Sequence, residues 1–203
     1  MREGTPLRYV ALGDSYTIGT SVAEHERWPN QLVARVPELQ LVGNLAVNGF
    51  TSRDVIEVEL PQLDGLRPAF VSLLIGVNDV VQGVPEDVYR ANLERILDDL
   101  VGRVGISDIV LVTTPDYTVT PAGADYGDPA VQSAAIRRIN SILEEVARRR
   151  ALPVVDIHPI SLQAARDRTL VAPDGLHPSG VQYARWVELL EQAVVVLLRE
   201  ETS

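Results

Sequence analysis

Ser15 closes the tripeptide Gly13-Asp14-Ser15 directly after an apolar run, which would stand it at the carboxyl end of a strand and the start of a helix. Its own N–H would then be unpaired and open to a cleft. A serine hydroxyl is a poor nucleophile until a base within hydrogen-bond reach takes its proton. Histidine suits that task near neutral pH, and one stands near the other end of the chain in Asp174-Gly175-Leu176-His177-Pro178. Asp174, across a turn at Gly175, can reach the far ring nitrogen, fix the tautomer and stabilise the imidazolium. Two further segments supply donors. Asn44-Leu45-Ala46-Val47-Asn48-Gly49-Phe50-Thr51 offers Gly49, whose N–H a ligand approaches without side-chain obstruction, and Gly76-Val77-Asn78-Asp79 offers the Asn78 amide. Ser15 N–H, Gly49 N–H and the Asn78 side chain would together stabilise the negative charge that develops on an acyl oxygen. Taken one at a time, each residue has a plainer role: Asp14 or Ser15 as a helix cap, Asp174-Gly175 as a turn beside an exposed histidine, Gly49 and Asn78 as turn residues.

These residues need elements to hold them. Leu7–Gly13, Leu39–Leu45, Ala69–Gly76, Ile106–Thr113 and Pro153–Ile157 are short, rich in Val, Ile and Leu, and bounded by turn residues, so they read as strands buried on both faces. Longer segments with helical spacing lie between them. Pro85 sits near a helix start, and Val88, Ile96, Leu97, Leu100, Val101 and Val104 form one apolar stripe. Ala135, Ile139, Ile142, Leu143 and Val146 repeat the spacing, and a last helix carries Tyr183, Val187, Leu190, Val194, Leu197 and Leu198. Strand–helix alternation predicts an α/β fold, a parallel sheet covered by helices on both sides, with chemistry at the carboxyl ends of the strands. The one long irregular stretch, Pro115–Pro129, holds Asp116, Tyr117, Asp125 and Tyr126 and follows the fourth strand, where it would either wall a pocket or form a plain surface loop.

Composition excludes several chemistries. All 18 basic residues are Arg, so Walker-type phosphate loops, receiver-type phosphorylation sites and Schiff-base catalysis have no lysine to use. There is no Cys, hence no disulfide, thiol nucleophile or thiolate metal site. A net charge of −10 argues against nucleic acid and anionic lipid surfaces as partners. The apolar run from Tyr9 to Leu12 is too short for a signal peptide, and Ala193 to Leu198 cannot span a bilayer. The expectation is one soluble, cytoplasmic domain over residues 1–203.

Gly13-Asp14-Ser15, Gly49 in its Asn-x-Ala-x-x-Gly-x-Thr setting, Gly76-x-Asn78-Asp79 and Asp174-x-x-His177 occur in that order and closely resemble the motifs of the SGNH hydrolases, the GDSL-type esterase/lipase family. The resemblance runs from about Tyr9 to His177. It implies a flavodoxin-like, three-layer α/β/α sandwich with a five-stranded parallel sheet, and hydrolysis of small or lipid-like acyl esters, or thioesters, without metal or cofactor. It further implies Ser15 as nucleophile, His177 as base, Asp174 as its orienting acid, and Gly49 and Asn78 beside Ser15 N–H as oxyanion donors. Two positions depart from the pattern. Tyr16 replaces the leucine of the GDSL label and is the candidate for a substrate-binding pocket wall, and Ala46 stands where a first glycine is common.

Other signals lead nowhere further. His25-Glu26 begins like a zinc-protease motif, but position 29 is Pro29. His158, in Asp156-Ile157-His158-Pro159, would share the functional edge with His177 and could rival it as the base, but its spacing from Asp156 favours a structural polar pair. Gly-x-Ser-x-Gly is absent, which disfavours the α/β-hydrolase elbow. Trp28, Trp186 and Tyr183 read as core. The competing function is a binding module that keeps the cleft and recognises an acylated ligand without turnover.

Overall fold

A computed structural model describes residues 5–200. In chain order its elements are β1 (Leu7–Gly13), α1 (Ser15–Ile18), α2 (Trp28–Arg35), β2 (Leu39–Asn44), α3 (Ser52–Asp54), α4 (Leu63–Leu66), β3 (Phe70–Leu74), α5 (Val77–Val81), α6 (Glu86–Val104), β4 (Ile109–Val112), α7 (Pro129–Arg149), β5 (Val154–Val155), α8 (His158–Ser161) and α9 (Gly180–Glu200). The strands form one five-stranded sheet in the order β2-β1-β3-β4-β5, every pair parallel.

Successive side chains of a strand point to opposite faces, and β1 uses both. Tyr9 and Ala11 enter a core with Trp28 and Leu32 of α2 and Tyr183, Trp186, Val187, Leu190 and Val194 of α9. Val10 and Leu12 enter the other, with Leu93, Ile96, Leu97 and Leu100 of α6 and Ile139, Leu143 and Val146 of α7. Helices on both faces of a parallel sheet give the three-layer α/β/α sandwich expected. The helices start where local chemistry dictates. Asp128 caps α7, accepting from Ala130 N–H at 2.9 Å and Val131 N–H at 3.1 Å, with Pro129 next. α6 opens with Glu86 and Asp87, whose charges favour a helix N-terminus.

Several expected boundaries shift. Residues 106–108 form a 3₁₀ turn, so β4 starts at Ile109. β5 shrinks to two residues: Pro153 has no N–H to donate, and the Ile157 N–H goes to Thr113 Oγ1 at 2.9 Å instead of to a strand carbonyl. β3 runs only from Phe70 to Leu74, and the Ile75 carbonyl accepts from Tyr89 Oη at 3.1 Å. Val88, placed by spacing on the buried stripe of α6, is exposed, whereas Trp28, Trp186 and Tyr183 are buried as expected.

Candidate active site

β1 gives way to α1 within three residues, and the sharpness of that turn decides where Ser15 sits. Gly13 has φ +148°, and a Cβ there would run into the Leu74 carbonyl and lie 2.7 Å from Thr17 Oγ1. Asp14 caps α1, its Oδ1 accepting from Tyr16 N–H at 2.9 Å. Ser15 therefore opens α1 at the carboxyl edge of the sheet, 7% exposed, and lines a cavity of about 280 Å³.

The turn is held from behind. Gly13 N–H donates to Glu59 Oε2 at 2.9 Å. Glu59 ends a π-helical turn, Val55–Glu59, in which Leu60 N–H reaches back to the Val55 carbonyl. Its side chain is completely buried, and Oε1 has no hydrogen-bond partner. Burial pushes the Glu59 carboxyl up to about 9; the Gly13 N–H opposes the shift and the negative charges of Asp14 and Asp54 add to it. Burial likewise pushes Asp14 up to about 7 against the Tyr16 N–H bond, with a contribution from the charge of Asp79. Asp79 is itself raised by burial, against its bonds from Ser52 N–H at 2.9 Å and Ser52 Oγ at 2.5 Å.

At the far end of the chain, Asp174 and His177 share one turn. His177 Nδ1 lies 2.6 Å from Asp174 Oδ2, and Asp174 Oδ1 accepts from the N–H groups of Leu176 at 2.9 Å and His177 at 3.0 Å. Ser21 Oγ donates to Asp174 Oδ2 at 2.6 Å. Burial on its own would raise this carboxyl, but the bonds from Ser21, Leu176 and His177 outweigh it and hold Asp174 down at about 2. The Tyr16 ring lies 5.1 Å from the His177 imidazole.

The two donor segments are tied to this frame and to each other. Gly49 takes φ +84° with open space where a Cβ would stand. Its carbonyl accepts from Gln82 Nε2 at 3.1 Å, and Asn48 Oδ1 accepts from Thr20 Oγ1 at 2.7 Å. Asn78, on α5, donates from Nδ2 to the Phe50 carbonyl at 2.9 Å and stands 3.4 Å from Asp14 Oδ2. Ser15, Gly49, Asn78 and His177 all line the one cavity, although they come from four separate segments of the chain.

The model of the GDSL-like Lipase/Acylhydrolase family matches residues 11–185. The chain belongs to that family. It is a GDSL-type serine hydrolase acting on ester bonds. No curated protein matches it by sequence. Among solved structures it is similar to LAE5, an alpha/beta hydrolase enzyme from the metagenome of Lake Arreo, Spain, at 22% identity and TM-score 0.73, covering 94% of this chain and 96% of that one. It is also similar to Axe2, an acetylxylan esterase from Geobacillus stearothermophilus, at 20% identity and TM-score 0.71, with 97% and 96% covered. The psychrotrophic esterase EstA from Pseudoalteromonas sp. matches at 17% identity and TM-score 0.71, with 95% and 98% covered. At these identities the structural likeness speaks for the fold.

The GDSL-type site has walls that its motifs do not name. Val77, Val81, Tyr117, Tyr126, Leu176 and Asn48 complete the cavity with Tyr16. Tyr117 and Tyr126 come from the stretch after β4, which folds into 3₁₀ turns at Tyr117–Val119 and Gly123–Tyr126 and so walls the pocket. Their rings meet edge to face at 6.0 Å. Ser21 has no role in any spacing pattern; its only signal is a polar residue shortly after Gly13-Asp14-Ser15. His158 stands elsewhere. The Asp156 carboxylate accepts from its backbone N–H at 3.1 Å, while the His158 ring faces Asp116 with Nε2 and Oδ2 3.8 Å apart. The expected pairing of the two side chains is therefore replaced by a backbone contact. Among the described residues no cluster of His, Asp and Glu has the arrangement to hold a metal ion, and no helix is long and apolar enough to cross a membrane.

Proposed function

We propose that this protein hydrolyses small, uncharged carboxylic esters or thioesters through a Ser15–His177–Asp174 triad and an acyl-enzyme. The observation that carries the reading is the 2.6 Å contact between Asp174 Oδ2 and Nδ1 of a histidine whose ring lines the same cavity as Ser15. With Nδ1–H committed to Asp174, Nε2 is the basic nitrogen and takes the Ser15 proton as Oγ attacks the ester carbonyl. The oxyanion is received by Ser15 N–H, Gly49 N–H and Asn78. One hydrogen of the Asn78 amide goes to Phe50; the other, held only loosely by Asp14 at 3.4 Å, is the one the oxyanion takes. His177 then protonates the leaving alcohol, and water activated by the same ring releases the acid. The lining favours a neutral acyl group: valines, a leucine and three tyrosines surround about 280 Å³.

Labelling with a serine-directed fluorophosphonate, followed by peptide mass spectrometry, tests this reading. An adduct on Ser15 alone, lost in Ser15→Ala and His177→Ala, is expected. No adduct on the folded protein would move the assignment to a binding module that recognises an acylated ligand. Asn78→Ala is expected to lower kcat roughly a hundredfold to a thousandfold with little change in KM, the usual cost of one oxyanion donor. An unchanged kcat would remove Asn78 from the oxyanion hole.

A further inference from the structure

We propose that Ser21 is a positioning residue for the acid–base pair: its hydroxyl fixes the Asp174 carboxylate against His177 and limits how strongly that carboxylate stabilises the imidazolium. The inference rests on the roles proposed above for Asp174 and His177. Its first support is geometric. Ser21 Oγ and His177 Nδ1 each lie 2.6 Å from the same oxygen, Asp174 Oδ2, while Oδ1 is taken by two backbone N–H groups. Every contact on the carboxylate is thus a donor, and Ser21 is the one side-chain donor besides the histidine.

The second support is backbone conformation. Ser21 adopts φ +66°, a left-handed conformation that costs a non-glycine residue on the order of 1 kcal/mol. Among the described non-glycine residues only Arg67 and Ala151 also have a positive φ, following α4 and α7 respectively. Ser21 is exposed, so packing of its side chain does not account for the conformation. Glycine would suit this backbone better, but glycine has no hydroxyl to give Asp174.

Third, the connection back to the nucleophile is short. α1 ends at Gly19, itself left-handed at φ +73°, Thr20 Oγ1 binds Asn48 of the Gly49 loop at 2.7 Å, and Ser21 binds Asp174. The segment that begins with Ser15 therefore reaches the donor loop and the acid in successive residues.

Hydrogen bonds to an ionised carboxylate disperse its charge. With Ser21 in place, Oδ2 divides its charge between a hydroxyl and the imidazole. Without it, Oδ2 serves His177 alone, imidazolium is more strongly favoured, and the carboxylate loses one of the contacts that fix its plane. Other groups near this pair are Tyr16 and Tyr183, both raised well above the ordinary phenol range by burial, with the charges of Asp14 and Asp174 each acting on both rings.

The test compares Ser21→Gly, which removes the hydroxyl and relaxes the backbone, with Ser21→Ala, which removes the hydroxyl and keeps the strain. For both, kcat is expected to fall about tenfold with KM within twofold of the parent, and the acidic limb of kcat/KM to move to higher pH. Ser21→Gly should unfold at a temperature no lower than the parent. An acidic limb that stays in place or moves down in both variants overturns the proposal, whatever happens to kcat, because a merely structural role would leave it unmoved. Failure of the hydrolase reading shows itself separately, as absence of a Ser15 adduct in the parent protein. In that event the low-field proton resonance of His177 Nδ1–H decides without turnover: a shift in Ser21→Gly sustains the shared oxygen, and an unchanged resonance overturns it.

Discussion

Ser15→Ala and His177→Ala are each expected to lower kcat by about four to six orders of magnitude while the protein stays folded. The size follows from the interdependence of the residues in the proposed triad. Without the serine there is no acyl-enzyme, and without the imidazole the hydroxyl keeps its proton, so either change alone removes the covalent route. What persists is the modest acceleration a bound ester receives from the oxyanion donors. The fold should not notice the first change, because the Ser15 carbonyl that accepts from Gly19 and Thr20 N–H remains in alanine. Asp174→Asn should fall about ten-thousandfold. Its amide oxygen can still accept from Leu176 and His177 N–H and so hold the turn, but the amide nitrogen presents hydrogens to Nδ1 and forces the wrong tautomer. Turnover near the parent rate in purified, folded Ser15→Ala or His177→Ala, followed with a chromogenic short-chain ester, would sink the triad.

The second large effect concerns stability. Glu59 and Asp14 are buried at the turn that carries Ser15, and burial pushes them up to about 9 and about 7. An unfolded chain releases both protons near pH 4, whereas the folded protein keeps them until these higher values. Across that window the folded state binds more protons at these two groups, so their contribution to stability is fullest below about pH 4 and declines as pH rises. Each fully titrating group withdraws roughly 1.4 kcal/mol per pH unit. Asp174 acts in the opposite direction, contributing above pH 4 and losing that contribution as pH falls towards 2. Glu59→Gln keeps an acceptor for Gly13 N–H and cannot ionise. Urea unfolding from pH 5 to 9 should therefore show the variant gaining on the parent by up to about 1.4 kcal/mol per unit. Parallel curves would mean that Glu59 is ionised in the fold.

The contrast between residues the sequence exposes and those it hides is instructive. The limits of β1 could be read because Gly13 stops the apolar run and no other residue fits its turn. Ser15, Gly49, Asn78, Asp174 and His177 could be singled out because each has a telling type and telling neighbours, and the structure brings four of them to one cavity, with Asp174 bonded to His177 behind it. Glu59 could not. Two residues earlier Glu57 has the same type and a similar setting, yet it is exposed and pairs with Arg53 at 2.7 Å. Residues two apart point to opposite sides of a helical turn, and it is tertiary packing that decides which of the two goes under Gly13. Ser21 was hidden for a related reason: its partner lies 153 positions away. β5 was overestimated because an apolar run does not reveal that Thr113 will draw its last N–H out of the ladder.

The placement of the site within the sheet also bears on how the protein comes into being. β1, which delivers Ser15, is laid between β2 and β3, so the first strand synthesised can be ordered only after its later neighbours exist. His177 and Asp174 follow β5, and α9 closes over α2 and β1 to complete the face beneath them. A ribosome therefore emits Ser15 long before Asp174 and His177, and a chain arrested before residue 174 would carry the serine without the histidine proposed to activate it. With the triad proposed above, catalytic competence is the final property that folding confers. It is also the first to go when the C-terminal turn opens, which makes the enzyme's own turnover a sensitive reporter of local unfolding well short of collapse.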